Sequence, residues 1–256
     1  MTLSTEWLMP GPRVQARRRS SASELSSDER SVRLEALALA AARDLETASA
    51  GEIVRWAHET FGNAFAITAS MADGVLSHVA SIAVPGIKVL FLDTGYHFAE
   101  TLGTRDAIAA TYDIEVETIT HPLRVQEHEA EYGKLHQLDT DLCCAIRKVW
   151  PLDRALKPYD AWAGGVRRSE AVTRAETPVV AWDPNRRKVK VNPLATWTDE
   201  QVDAYVAEHN ILINPLRDLG FLSIGCEPCT KAVAPGEDPR SGRWAGSSKT
   251  ECGINI

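Results

Sequence analysis

The chain has 256 residues, 44% hydrophobic and 25% charged, with a formal net charge of −7. Those values describe a globular protein able to bury a sizeable core, as one α/β domain or one with a short appendage. They exclude a general nucleic-acid binder, which carries a basic face, and no apolar run approaches the ~20 residues that span a bilayer.

Residues 1–30 read as a disordered N-terminal extension. Arg17-Arg18-Arg19 is followed by Ser20-Ser21-Ala22-Ser23-Glu24, not by the apolar stretch of a secretory signal, so a cytoplasmic location is expected. Near-helical apolar spacing predicts a helix over 31–50, stopped by Gly51, and a second over 52–61. Residues 64–68 then read as a buried strand ending in the polar loop Ala69-Ser70-Met71-Ala72-Asp73, with a helix over 74–83. A strand at 88–92, a helix over 97–111 and a strand at 115–119 continue the alternation. Strand–helix alternation of this kind predicts a parallel sheet with crossover helices, with ligands bound at the carboxyl ends of the strands.

The second half is less regular. Residues 143–156 read as a helix presenting Cys143, Cys144, Arg147 and Lys148 on its first turns, and 161–166 as a strand running into Gly164-Gly165. Residues 179–182 and 188–191 resemble a hairpin, and Thr198 is a good N-cap for a helix over 199–209. From Thr230 onward Gly, Pro and Ser are frequent and periodicity vanishes, so 230–256 reads as a flexible tail behind a nucleotide-binding α/β domain over 31–229.

The five cysteines partition as four plus one. Cys143-Cys144 is a tandem pair, Cys226-Glu227-Pro228-Cys229 is a C-x-x-C turn, and Cys252 stands alone in the tail. Two close pairs supply four soft thiolates, enough for one metal centre. Neighbouring cysteines diverge around a single ion, which leaves an iron–sulfur centre only slightly ahead of zinc on spacing alone. Structural disulfides belong to oxidising compartments and small secreted domains, and this chain fits neither. The cations of this acidic chain gather beside the same features. Arg147-Lys148 follows the tandem pair, Arg167-Arg168 follows the glycine pair, and Arg240, Arg243 and Lys249 share the tail with Cys252.

Several stretches resemble the sulfonucleotide reductases, and within them the branch of assimilatory adenosine 5′-phosphosulfate reductases that carries an iron–sulfur cluster. They are Met71-Ala72-Asp73-Gly74-Val75-Leu76, the run from Leu92 to Thr101, Cys143-Cys144 with Lys148, and Val191-Asn192-Pro193-Leu194. Gly225-Cys226 with Pro228-Cys229, Arg240-Ser241-Gly242-Arg243-Trp244 and Lys249-Thr250-Glu251-Cys252-Gly253 complete the set. The resemblance spans about residues 60 to 253. It implies an adenine-nucleotide α-hydrolase-like parallel sheet flanked by helices, and one [4Fe-4S] cluster per chain held by Cys143, Cys144, Cys226 and Cys229.

It further implies that Cys252 attacks the sulfur of the substrate, AMP leaves, and an S-sulfocysteine remains. Lys148, Arg240 and Arg243 would then screen the phosphosulfate from the attacking thiolate, with Arg167 as a further cation and Ser70 and Asp73 shaping the phosphate or ribose subsite. With four cysteines on a metal, none is left to resolve the adduct, so an external dithiol protein such as thioredoxin must release sulfite. The chain departs from the family at Asn255, where members commonly carry a histidine. The competing functions are reduction of the 3′-phosphorylated nucleotide, a zinc-bearing ATP pyrophosphatase-type activity, and a non-enzymatic iron–sulfur sensor.

Overall fold

The computed structural model describes residues 26–247 and 249–254. Asn255 and nearly all of the expected N-terminal extension lie outside the described residues.

Six strands form one sheet in the order β3-β2-β1-β4-β6-β5. They are β1 (Phe65–Thr68), β2 (Ile87–Asp93), β3 (Ile114–Thr120), β4 (Ala161–Ala163), β5 (Val180–Asp183) and β6 (Lys188–Val191). Every neighbouring pair is parallel except the β5–β6 hairpin, whose register sets Val180 opposite Val191. This is the helix-flanked, mostly parallel sheet that the strand–helix alternation predicts. The central strands are covered on both faces, so they read as apolar runs without alternation. Ala66, Ile67, Ala161, Trp162 and Ala163 have no exposed surface.

The chain moves outward from β1 through β2 to β3 on one side, then returns to β4 and fills the other side. The carboxyl ends of β1 and β4 therefore flank a topological switch point, where such sheets open a crevice for ligands. The Thr68 hydroxyl donates to the Ala163 carbonyl oxygen at 2.9 Å and fixes the two strand ends together.

Helices α1 (Ser27–Asp44), α2 (Ala50–Phe61), α3 (Val75–Ala83) and α4 (Ala99–Thr111) belong to the first half. Two boundaries differ from the sequence reading, and capping explains both. Ser26 and Glu29 form a reciprocal capping box that starts α1 at Ser27, inside the stretch expected to be unstructured. Ser49 and Glu52 form another that starts α2 at Ala50, so Gly51 sits in a first turn and stops nothing. Helix α1 buries Leu34, Ala38 and Ala41 and packs on β5 and β6. That packing covers the antiparallel end of the sheet.

Short helices α5 (Val125–Tyr132), α6 (Leu135–Leu138), α7 (Thr140–Cys144) and α8 (Trp150–Ala155) follow β3. The single helix expected over 143–156 is interrupted by a π-helical turn at Ala145–Val149. Helix α9 (Asp199–His209) begins at Thr198, whose capping box with Gln201 matches the sequence expectation. Beyond Thr230 the described residues contain neither helix nor strand; residues 234–239 are largely exposed, while Trp244, Lys249 and Glu251 are tied to the domain by hydrogen bonds to Cys229, Asp141 and Arg174. Among the described residues no helix is long and apolar enough to cross a membrane.

Candidate active site

The polar loop after β1 and the glycine pair after β4 open on the switch point, and a cavity of about 290 Å³ lies there. The loop is held by a segment distant in sequence. Asn214 donates through Nδ2 to the Met71 carbonyl oxygen at 3.3 Å, and the Asn214 backbone N–H donates to the Ala72 carbonyl oxygen at 3.2 Å. Asp73 accepts from the Val75 backbone N–H at 3.1 Å, at the start of α3.

Ser70, Asp73, Lys148, Arg167, Arg240, Arg243 and Cys252 all line this one cavity. The structure thus brings together residues spread over 180 positions of sequence. Arg168, the neighbour of Arg167, instead points at Glu46 and grips its carboxylate at 2.6 and 3.0 Å. Two lining cations carried no signal in the sequence. Arg174 and Arg217 stand in 3₁₀ turns without periodicity or motif, and only the fold shows where they face.

The cations of the cavity differ in how they are neutralised. Arg217 lies 3.7 Å from Asp73, and Arg167 lies 3.0 Å from Asp199. Arg174 meets Glu170 at 2.5 Å and Glu251 at 2.8 Å, while Arg240 meets Glu251 at 3.2 Å. Lys148 and Arg243 have no carboxylate partner among the described residues. Both are buried or half-buried, and Arg243 Nε is buried without a hydrogen-bond partner. Arg243 donates through Nη1 to Ser223 Oγ at 3.3 Å and lies directly over Gly225. A Cβ at that glycine would stand 2.2 Å from Arg243 Nη2, so any side chain there would displace the Arg243 guanidinium.

Cys252 faces these two cations. Burial alone would raise its thiol, but Lys148, the Ile254 backbone N–H and Arg243 outweigh burial and lower it below the ordinary thiol range. A lowered, cation-flanked thiol at a cavity wall is the environment of a nucleophile.

A second, much smaller cavity lies behind Lys148, Arg243 and Trp244, which line both. Cys143, Cys144, Cys226 and Cys229 all line it, and all four thiols are free. Asp139 caps α7 by accepting from the Leu142 backbone N–H at 2.9 Å, and the following π turn widens the helix. The wider turn leaves adjacent residues facing different partners. Arg147 donates to the Thr94 carbonyl oxygen at 2.8 Å and the Leu123 carbonyl oxygen at 2.7 Å, while Lys148 enters the shared wall.

The C-x-x-C turn docks on the loop after β2. Glu227 donates its backbone N–H to the Tyr96 carbonyl oxygen at 2.7 Å, and Thr94 Oγ1 is 3.3 Å from Cys226 Sγ. Burial first, then the thiolates of Cys144, Cys226 and Cys229, push Cys143 up to about 12. Burial and the thiolates of Cys226 and Cys144 push Cys229 up to about 11. Among the described residues no three His, Cys, Asp or Glu side chains are arranged around a single metal ion. The donor set of four free thiols, whose thiolate forms repel one another and which Arg147 and Lys148 flank, suits a thiolate-bound group whose net negative charge those cations offset.

A mostly parallel sheet with a cation-lined cavity at its switch point is the architecture of an enzyme that binds an anionic ligand. The chain belongs to the phosphoadenosine phosphosulfate reductase domain family, matched over residues 63–232. A Streptomyces coelicolor protein named adenosine 5′-phosphosulfate reductase is 58% identical over 223 residues, covering 87% of this chain and 94% of that protein. One of the same name from Mycobacterium tuberculosis is 45% identical over 240 residues, covering 87% and 94%. The crystal structure of phosphoadenylyl-sulfate reductase from Candida auris superposes with a TM-score of 0.65 at 28% identity, over 80% of this chain and 97% of that one. Yeast FAD synthetase shares the fold alone, with a TM-score of 0.50 at 14% identity.

Proposed function

We propose that the chain reduces adenosine 5′-phosphosulfate to sulfite and AMP, in assimilatory sulfate reduction and cysteine biosynthesis. The observation that carries this reading is Cys252 in one cavity with Lys148 and Arg243, two cations that have no carboxylate partner among the described residues. A phosphosulfate brings one negative charge on its phosphate and one on its sulfate, which two unneutralised cations balance. The other lining arginines, Arg167, Arg174, Arg217 and Arg240, are each already paired with a carboxylate, which leaves no further unneutralised cation among the described lining residues for an extra phosphate. The relatives named for the unphosphorylated nucleotide, at 45–58% identity, also favour it.

In the first step the Cys252 thiolate attacks the sulfate sulfur. The S–O bond to the phosphate breaks, AMP leaves with the electron pair, and Cys252 holds an S-sulfo group. Arg243 and Lys148 bind the departing and transferring anions, and the fork of Arg243 suits two oxygens at once. Ser70 and Asp73, in the loop after the carboxyl end of β1, line the cavity and would shape the phosphate or ribose subsite. In the second step a thiolate of an external dithiol protein such as thioredoxin attacks Cys252 Sγ and sulfite leaves. The partner's second thiol then resolves the mixed disulfide and restores the Cys252 thiol, so the partner supplies both electrons. This chemistry belongs to a cytoplasmic setting that keeps thiols reduced.

Cys143, Cys144, Cys226 and Cys229 would hold one [4Fe-4S] cluster. When bound, the cluster supplies structure and a local field, since the dithiol supplies the electrons. Lys148, in the wall between the two cavities, answers to both sides.

Incubation with adenosine 5′-phosphosulfate and no reductant tests the reading. One equivalent of AMP and one S-sulfo adduct on Cys252 are expected, and thioredoxin should discharge the adduct as sulfite. Cys252→Ser should bind the nucleotide and yield neither. Turnover in that variant, or an adduct elsewhere, would overturn the assignment.

A further inference from the structure

Cys252 lies in a segment without regular secondary structure, so something other than a helix or strand must fix its place in the cavity. The preceding residue is held firmly. Arg174 donates through Nε to Glu251 Oε1 at 2.8 Å and through Nη2 to Glu251 Oε2 at 2.8 Å, a fork-on-carboxylate pair. Arg240 adds Nη2 to Oε2 at 3.2 Å and donates from the same nitrogen to the Thr250 carbonyl oxygen at 2.7 Å. The side chains of Arg174, Glu251 and Arg240 are 12%, 11% and 14% exposed. Arg174 is itself braced, with Nη1 on Glu170 at 2.5 Å, and Glu170 accepts from the Arg167 backbone N–H at 3.1 Å. On the far side of Cys252, Arg186 donates through Nη1 to the Ile254 carbonyl oxygen at 3.3 Å.

We propose that Glu251 is the positioning residue that seats Cys252 in the cavity, acting through Arg174 and Arg240; this rests on the reductase reading above. Adjacent α-carbons are about 3.8 Å apart, so fixing one side chain fixes the next residue's backbone closely. A nearly desolvated ion pair adds little net stability, because the cost of stripping water offsets the Coulombic gain. What it does supply is one geometry. Burial alone would raise the Glu251 carboxyl, but Arg174 and Arg240 outweigh it and keep the carboxyl below its ordinary range, so the clamp is charged near neutrality. The clamp is also reversible. An external dithiol must reach Cys252, and tail opening breaks side-chain contacts only.

The full-length protein tests this with two readouts. The first is the rate of iodoacetamide labelling at Cys252, read by peptide mass, which needs no substrate. In Glu251→Gln it should rise about tenfold or more, the scale of a lost charge-assisted hydrogen bond on a local opening equilibrium. The second is single-turnover formation of the S-sulfo adduct, which should fall by a similar factor, whereas discharge of preformed adduct by thioredoxin, which uses the open tail, should not slow. Arg174→Gln should reproduce both effects, and the double variant should be no worse than either single one. Unchanged labelling in both single variants would overturn the proposal, and so would unchanged adduct formation. If the wild-type protein formed no adduct, the reductase reading would fail, while labelling would still decide whether Glu251 seats the thiol.

Discussion

Lys249 Nζ reaches the Asp141 carboxylate at 2.5 Å and the Thr140 carbonyl oxygen at 3.0 Å. The tail carrying Cys252 is thereby tied to the helix carrying Cys143 and Cys144. The two partners are unequal, since the Lys249 side chain is 6% exposed and that of Asp141 is 85% exposed. An ion pair with one end in water contributes at most about 1 kcal/mol. Lys249 has further contacts, because its ammonium also lies 5.5 Å from the centre of the Trp244 ring. Asp141→Asn is therefore expected to change Cys252 labelling little, whereas Lys249→Ala should raise it clearly. Equal effects of the two substitutions would mean that the exposed carboxylate carries the whole tether.

Arg243 and Arg167 line the same cavity but differ in their neutralisation, and their alanine variants should differ in kind. Arg243→Ala is expected to lower kcat/KM by roughly 2 kcal/mol or more, the scale of a lost charge-assisted contact in the transition state. Arg167 is spoken for by Asp199 at 3.0 Å, and Arg167→Ala should cost less, mainly in KM. Lys148→Ala should act on kcat, since its ammonium faces the thiol. Steady-state kinetics on the three variants decides the order. A larger loss from Arg167 than from Arg243 would reverse the charge argument.

The cysteine partition and the cation clusters were legible because both are local in sequence, as were the strand–helix alternation and the Thr198 cap. What could not be read is what depends on distant partners. Glu251 stands inside the Lys249-Thr250-Glu251-Cys252-Gly253 run, but its role depends on Arg174, 77 positions away. The Gly- and Ser-rich stretch around Cys252 correctly signalled the absence of regular structure. It could not signal that ion pairs hold that stretch down. The break in the 143–156 helix was hidden for another reason: a π turn leaves helical composition unchanged while shifting which residues face inward.

The cluster proposed for the four free thiols of the second cavity has a direct test. Anaerobically purified protein should be brown and contain about four irons per chain if Cys143, Cys144, Cys226 and Cys229 all ligate. Serine at any one of the four should remove the colour, whereas Cys252→Ser should keep it. Stoichiometric zinc in place of iron would overturn the cluster assignment.

His78 on α3 gives an expectation for acid stability. Its Nδ1 lies 2.8 Å from the Tyr205 hydroxyl, its ring centre 5.3 Å from that of His209 on α9, and 5.1 Å from that of Tyr112 beyond α4. Burial, then the nearby His209, lowers it from 6.5. Below that pH the unfolded chain binds more protons at this site than the folded one, so stability rises with pH there. The contribution is complete above about 6.5 and is lost as the pH falls from there towards the folded value. Burial lowers His121 and His128 in the same direction. The melting temperature should fall as the pH drops below about 6.5, and His78→Gln should flatten that fall. An identical slope in the variant would place the acid sensitivity elsewhere.

Met71 sets two opposing effects against each other in the substrate loop. Its φ of 60° is left-handed, a conformation that costs a side-chain-bearing residue about 1–2 kcal/mol and glycine almost nothing. Its side chain is also completely buried in the main core. Truncating a buried methionine costs about 2–5 kcal/mol. The second effect is the larger, so Met71→Gly should lower stability to denaturant by roughly 1–3 kcal/mol despite relieving the backbone. Asn214→Ala, which removes the Nδ2 donors to the Met71 carbonyl oxygen and the Thr101 hydroxyl, should loosen the same loop without touching the strain. Chemical unfolding of both variants decides the matter. A Met71→Gly protein more stable than wild type would mean that the strained backbone, not the buried side chain, dominates in this loop.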